Sequence, residues 1–250
     1  MRENDNLLYT LSICLYLKRW YKFFYNLSMI KMPKNKLFTK SLLLKLSIVV
    51  VMLAVAFIFY DQLPTLIPTH WNVYGQADAY WPKNISLFTI PGLVLLLILW
   101  FNFIPKFDPR KEKYEQFQKS WDMLQFIIIS FFAYVYFVSI YVAMHPAQSM
   151  NFFMMFWVGL FFVLLGNYLW KIRSNYFVGI KTPWTLENEE VWNKTHRLGW
   201  YMFVISWLIF MINSFLNFQV WLVFIIVMLL AVFVPIIYSY VIYKKLKINN

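Results

Sequence analysis

Six apolar runs, each long enough to form a helix across a membrane, constrain this chain more than any other feature. They lie at roughly Leu42–Tyr60, Ile85–Ile104, Met123–Ala143, Phe152–Trp170, Trp200–Phe218 and Val220–Tyr243. A hydrocarbon core ~30 Å thick takes about 20 helical residues to cross, and inside it every backbone N–H and C=O needs a partner within the protein. None of the runs alternates polar with apolar residues, as a barrel strand would. The predicted fold class is all-α, a polytopic integral membrane helical bundle with six transmembrane helices. Composition excludes a soluble domain: 61% of residues are hydrophobic and 14% charged, against about 45–50% and about 25% in soluble folds.

Charge sets the orientation. With the N-terminus inside, Lys83 is the only outer residue among the 23 Lys and Arg, a strong case of the bias of basic residues toward cytoplasmic loops. Both termini are therefore predicted to be cytoplasmic. The formal charge of +12 points to anionic membrane lipid as a partner. Direct nucleic-acid binding is not predicted, because the aromatics sit within apolar runs instead of alternating with basic residues. Cys14 is the single cysteine, so an internal disulfide and a thiolate zinc site are both excluded.

Four regions follow. Residues 1–41 form a basic, aromatic extension, cytoplasmic or interfacial. Residues 42–104 hold the first two spans and an outer loop, 105–121 a cytoplasmic loop, and 122–247 the remaining spans, with a cytoplasmic loop-helix at 171–199. Two readings of residues 1–31 stand side by side: an interfacial segment, or an extension preceding a start at Met29 or Met32. The last two spans are predicted to form a tight hairpin turning near Asn217, Phe218 and Gln219.

Two polar islands interrupt the apolar runs. The outer one, Asp61–Asn84, contains LPTLIPTHWNVYGQADAYWPK. Pro64 and Pro68 each remove a backbone donor, which argues against a continuous helix, and Gly75 offers a turn with positive φ. His70 with Asp61 and Asp78 has the chemistry to hold a metal or move a proton. The favoured reading is an interfacial cap or partner-binding surface, since Trp71, Tyr74, Tyr80 and Trp81 suit the headgroup level. Pro64, Pro68, His70, Trp71, Asn72, Gly75 and Asp78 are the candidate binding residues.

The inner island is GIKTPWTLENEEVWNKTHRLG, Gly179–Gly199. Thr185 is predicted to cap a helix running to about Leu198, with acids in its first turns and Lys194 and Arg197 at its end, matching the helix dipole. Glu190 and Lys194 stand four apart in the favourable order. Trp184, Val191 and Leu198 recur every seven residues beside Trp192, an apolar stripe that would pack beneath the bundle, lie on lipid or meet a protein. His196 near Glu189 or Glu190 would be an acid–base pair in principle, but no nucleophile or metal-ligand set accompanies it. No enzymatic activity, cofactor or metal is predicted.

The spans themselves hold few polar groups. Lys45 is expected to snorkel to the inner face. Asn102, Asn167 and Asn213 are candidates for hydrogen bonds between helices. Intramembrane acids or paired charges, which transport would call for, are not evident in the span interiors. Pro91-Gly92 and Pro235 would kink their helices. A transporter or exporter of a small molecule or peptide is the alternative function.

Taken together, the islands carry a family resemblance. The outer segment resembles an uncharacterised bacterial membrane domain with the pattern Leu-Pro-x-x-Ile-Pro-x-His-Trp-x-x-x-Gly-x-x-Asp. The inner segment is similar to the hallmark of the SdpI family of bacterial immunity proteins. Gly179, Ile180, Thr182, Pro183, Trp184, Thr185, Leu186, Glu190, Trp192, His196 and Arg197 match it, as do Gly166 and Asn167 upstream. Lys181 replaces the commoner Arg, keeping the charge and losing the planar fork, and Trp200 stands where a second Gly often follows. The resemblance spans about residues 42–247. It implies a multi-pass protein of the bacterial plasma membrane that protects its cell against a secreted peptide toxin. It also implies possible partnership with an ArsR-like repressor inside the cell, with Asp61–Asn84 facing toxin and Lys171–Trp200 facing the repressor.

Overall fold

The computed structural model describes residues 36–72, 76–145, 151–216 and 218–248, with side chains described from residue 40 and not at 151–155. The expected interfacial segment within residues 1–31, the Gly75 turn, the Tyr74 aromatic and Asn217 lie outside the described residues. Helix α1 (Lys36–Phe59) ends in a 3-10 turn, Tyr60–Gln62, and is followed by strands β1 (Leu66–Trp71) and β2 (Ala77–Pro82). Next come α2 (Lys83–Phe107), a 3-10 segment (Lys111–Phe117), α3 (Gln118–Met144) and α4 (Asn151–Leu169). A short α5 (Pro183–Glu187) precedes the long α6 (Glu189–Leu216). The chain closes with α7 (Val220–Met228), a π-helical turn (Leu229–Phe233) and α8 (Val234–Ile248).

Among the described residues, five helical stretches are long and apolar enough to cross a membrane: Lys40–Gln62, Lys83–Phe107, Lys111–Met144, Glu189–Leu216 and Val220–Ile248. Helix α4 occupies the place of the fourth expected span, and its described apolar part is Phe156–Leu169. Large apolar side chains point outward along these helices, with Phe57 69% and Leu216 68% exposed. Water would penalise such surfaces; hydrocarbon does not. The protein is a multi-pass helical membrane protein.

The core of the bundle is apolar and layered. Met52 and Ala56 of α1, Val94 and Ile98 of α2, and Ile129, Ala133 and Tyr136 of α3 form one cluster. The Tyr136 hydroxyl donates to the Met52 carbonyl at 3.1 Å, which satisfies a phenol that burial would otherwise leave unpaired. A second cluster, around the end of α2 and the start of α3, joins Phe101, Ile104, Tyr114, Trp121, Ile172 and Trp192. Helices α4 and α6 make the most extensive helix pairing. Gly166 lets them approach, because a Cβ there would lie 2.9 Å from Phe203 Cβ, and small residues are how membrane helices gain close contact.

Four features depart from the sequence reading. Outside, the chain is not helix and loop alone: β1 and β2 pair antiparallel, with Ile67 opposite Trp81 and His70 opposite Ala79. β-Branched and aromatic residues favour strand, and an isolated hairpin is marginal in water, but Leu63 and Ile67 are buried in the α1–α3 cluster and anchor this one. Second, Lys45 does not snorkel. It is 1% exposed, its Nζ donates to Gln125 Oε1 at 2.6 Å and stands 3.6 Å from Asp122 Oδ1. The start of α3 brings both partners against α1, so the bundle does contain an internal charged pair. Third, two of the amides serve their own helices. Asn102 Nδ2 donates to Ile98 O at 2.7 Å, and Asn213 Oδ1 accepts from Phe218 N–H at 3.1 Å at the α6–α7 turn. Fourth, α2 runs unbroken through Pro91. The disturbance at Pro235 takes the form of the preceding π turn, which accommodates a residue without an N–H.

Lys83 has a structural task. Its Nζ donates to Tyr60 O at 2.8 Å and Leu63 O at 3.3 Å and lies 4.4 Å from the Tyr60 ring centroid. These carbonyls lie in and just after the 3-10 turn that follows α1, where the chain end of a helix leaves acceptors that a lysine ammonium can satisfy.

Candidate functional site

The hairpin of β1 and β2 presents a mixed surface. His70 Nδ1 and Asp78 Oδ1 are 2.6 Å apart, both exposed, and no third acid, His or Cys joins them among the described residues. The loop base is stitched by Asn72: its N–H donates to Gln76 O at 2.8 Å and its Oδ1 accepts from Gln76 N–H at 3.1 Å. Leu66, Tyr80 and Trp81 of the same hairpin are exposed. Of the other candidates, Pro64 is exposed, Pro68 buried and Trp71 half-buried. The strands thus present a His70–Asp78 pair on a hairpin that also exposes apolar and aromatic side chains.

Between α4 and α6, residues 172–188 fold into a knot tied by buried polar groups. Asn175 is fully buried; its Oδ1 accepts from Phe177 N–H (3.0 Å) and Val178 N–H (2.7 Å), and its Nδ2 donates to Arg173 O and Val178 O. Gly179 follows with φ +115°, where a Cβ would lie 2.5 Å from His196 Nε2, so only glycine fits. Ile180 N–H donates to that His196 Nε2 at 2.9 Å, and His196 Nδ1 stands 2.8 Å from Trp192 O. Because Nε2 accepts, the ring proton belongs on Nδ1, and the imidazole is neutral. Trp192 stacks on it at 4.0 Å and donates Nε1–H to Ile172 O at 2.7 Å.

Next, Thr182 and Thr185 close a capping box. Thr185 N–H donates to Thr182 Oγ1 (3.2 Å) and Thr182 N–H to Thr185 Oγ1 (2.8 Å). The cap is therefore Thr182 and not Thr185, and the helix it starts is only Pro183–Glu187. A break at Asn188, whose Oδ1 accepts from Glu190 and Val191 N–H groups, starts α6. The amphipathic helix expected to stop near Leu198 is instead the first turns of a span, and Trp184 belongs to a different helix from Val191 and Leu198. Trp184 packs on Tyr240 of α8 at 4.9 Å. Thr182 Oγ1 meets Ser239 Oγ at 3.1 Å. The knot is thereby tied to the last helix.

His196 does not pair with an acid: Glu190 holds Lys194 at 2.7 Å and Glu189 holds Lys113 at 3.0 Å. Both imidazole nitrogens face backbone groups in a site closed to water, which leaves the ring no free position for proton transfer. Thr182, Thr185, Trp192 and His196 are buried, whereas Lys181, Pro183, Glu190 and Arg197 face outward, with Trp184 and Leu186 between. Asn167 is also exposed, on the last turns of α4.

The sequence reading missed the partner of this knot. Asp108 is 2% exposed and accepts from Arg110 N–H, the Tyr114 hydroxyl and Tyr176 N–H at 2.8–3.0 Å. Arg110 reaches across to Ser174 Oγ and donates Nη2 to Leu186 O at 2.7 Å, with its guanidinium over the Tyr176 ring. The 105–121 loop and the knot are therefore joined into one unit. The Asp-Pro-Arg turn directly after a span was the available signal, but nothing in its spacing named the partner loop.

Residues 171–239 match the SdpI/YfhL protein family, and residues 47–95 match a domain of unknown function, DUF1648. The chain is similar to a protein named Immunity protein SdpI from Bacillus subtilis (strain 168), 28% identical over 204 residues that cover 80% of this chain and 96% of that one. No solved structure matches the chain. This membrane protein is thus similar to the SdpI/YfhL protein family over residues 171–239, and to a named immunity protein along most of its length.

Proposed function

We propose that the protein confers immunity to a secreted peptide toxin by binding it, without catalysis, at the outer hairpin and the adjoining ends of the spans. The observation that carries this reading is the near-complete coverage of a relative named Immunity protein SdpI. Supporting it, the hairpin displays exposed Leu66, Tyr80 and Trp81 together with the His70–Asp78 pair. On the cytoplasmic side, the outward residues of the knot (Lys181, Pro183, Glu190 and Arg197) form a fixed surface for a partner. An ArsR-like repressor is the partner this reading assigns to it, held at the membrane when toxin is bound.

The test is survival. Cells lacking the gene are challenged with the toxin secreted by relatives of the same strain, then complemented with wild type or His70→Ala/Asp78→Ala. Protection lost on deletion, restored by wild type and weakened at least about tenfold by the double variant at equal membrane abundance supports the reading. Unchanged survival on deletion overturns it.

A second reading, transport, has one observation in its favour: the enclosed Lys45–Gln125–Asp122 group, since ionisable residues between membrane helices mark conduction paths. Proteoliposome flux distinguishes it. Toxin or proton movement abolished by Asp122→Asn supports transport, and none above empty vesicles retires it.

A further inference from the structure

A cleft of about 750 Å³ opens where α4 ends and α6 enters the membrane, lined by Lys171, Arg173, Arg197 and Asn193 with Trp170 and Trp200 among its walls. No acid lines it. Arg173 and Arg197 have no hydrogen-bond or ion-pair partner for their guanidinium groups among the described residues, whereas Arg110 is fully engaged by Ser174, Leu186 O and the Tyr176 ring. Acids are close by in sequence, but Glu187, Glu189 and Glu190 are occupied by Tyr243, Lys113 and Lys194. Lys171 is held over the Tyr168 and Trp170 rings at 4.7 and 5.6 Å, which fixes its ammonium near the mouth. Three cations thus converge, without a counter-charge, between tryptophans that mark the level of the headgroups.

We propose that this cleft binds the phosphate of an anionic phospholipid of the inner leaflet. Guanidinium groups match phosphate oxygens in a fork-to-fork geometry, and basic pockets between spans on the cytoplasmic side are the recurring form of such sites. Depth selects the source: Trp170 and Trp200 place the three cations at the plane where lipid phosphates lie. The lipid would brace the α4–α6 junction from which the knot hangs.

Native mass spectrometry of the full chain, released from micelles doped with phosphatidylglycerol or phosphatidylcholine, tests this. Wild type is expected to retain phosphatidylglycerol, and Arg173→Gln/Arg197→Gln to retain it at least about tenfold less. Lys244→Gln/Lys245→Gln, which removes two cations from the exposed tail, should behave as wild type. Equal retention by the arginine variant, or equal loss in the tail variant, overturns the proposal. A photoreactive phosphatidylglycerol on the unmodified protein gives an independent reading: label within residues 167–201 supports the site and label elsewhere overturns it. Protection against heat by inorganic phosphate alone, with no further gain from the lipid, assigns the cleft to a free phosphate and overturns the lipid source.

Discussion

Gly179 and His196 define one contact between them. The backbone turns through a left-handed conformation at Gly179 so that Ile180 N–H can point at His196 Nε2. Any side chain at 179 meets both penalties, a φ of +115° and the imidazole 2.5 Å from its Cβ. Gly179→Ala is therefore expected to lower stability by at least about 1–3 kcal/mol, read as a fall in melting temperature in detergent; an unchanged melting temperature would refute the geometry. Trp192→Phe removes the only described donor to Ile172 O while keeping most of the stack. It should cost about 1–3 kcal/mol for the buried carbonyl left unpaired, measured in the same way.

Elements meet at two polar joints. The short α5 depends on Thr182, whose hydroxyl caps it and also touches Ser239 of α8. Thr182→Ala should cost about 0.5–2 kcal/mol, and limited proteolysis should then cut the knot faster; cleavage at the wild-type rate would argue against a capping role. The joint between α1 and α3 is electrostatic. Asp122→Asn leaves Lys45 buried without its counter-charge, an expected loss of about 1–3 kcal/mol given that Asp122 is partly exposed. The triple replacement Lys45→Met/Asp122→Leu/Gln125→Leu should recover most of that loss, because apolar residues often substitute for a buried ion pair without penalty. Thermal stability of the two variants in one detergent decides it: a triple variant less stable than Asp122→Asn would show that the polar group contributes net stability.

For the whole molecule, the decisive property is sidedness. The proposed function requires the hairpin and the knot to lie on opposite faces of the membrane, with the basic residues gathered around the knot. In a Cys14→Ser background, Gln76→Cys should react with a membrane-impermeant maleimide on intact cells, and Glu187→Cys only after permeabilisation. Labelling of both from outside would reverse the assignment of toxin-facing and cytoplasmic surfaces. Much of this scale was legible in the chain. The apolar runs near Ile85–Ile104 and Met123–Ala143 announce α2 and α3, and the excess of Lys and Arg in alternate connections announces direction. The site was legible only in part. Gly179, Thr182 and Trp192 stood out as a motif, but their roles differ from the local reading: the cap lies three residues earlier, and His196 bonds to backbone instead of an acid.

Local composition determined the class and the approximate spans of this protein, because transfer of an apolar helix of about 20 residues into hydrocarbon depends on each segment alone. Only the tertiary structure decided that Lys45 is enclosed by α3, that Asp108 and Arg110 lock the two cytoplasmic loops together, and that three cations share one cleft. Each of those arrangements joins residues tens of positions apart, and hydrogen bonds and ion pairs act over a few ångströms of space, whatever the separation along the chain.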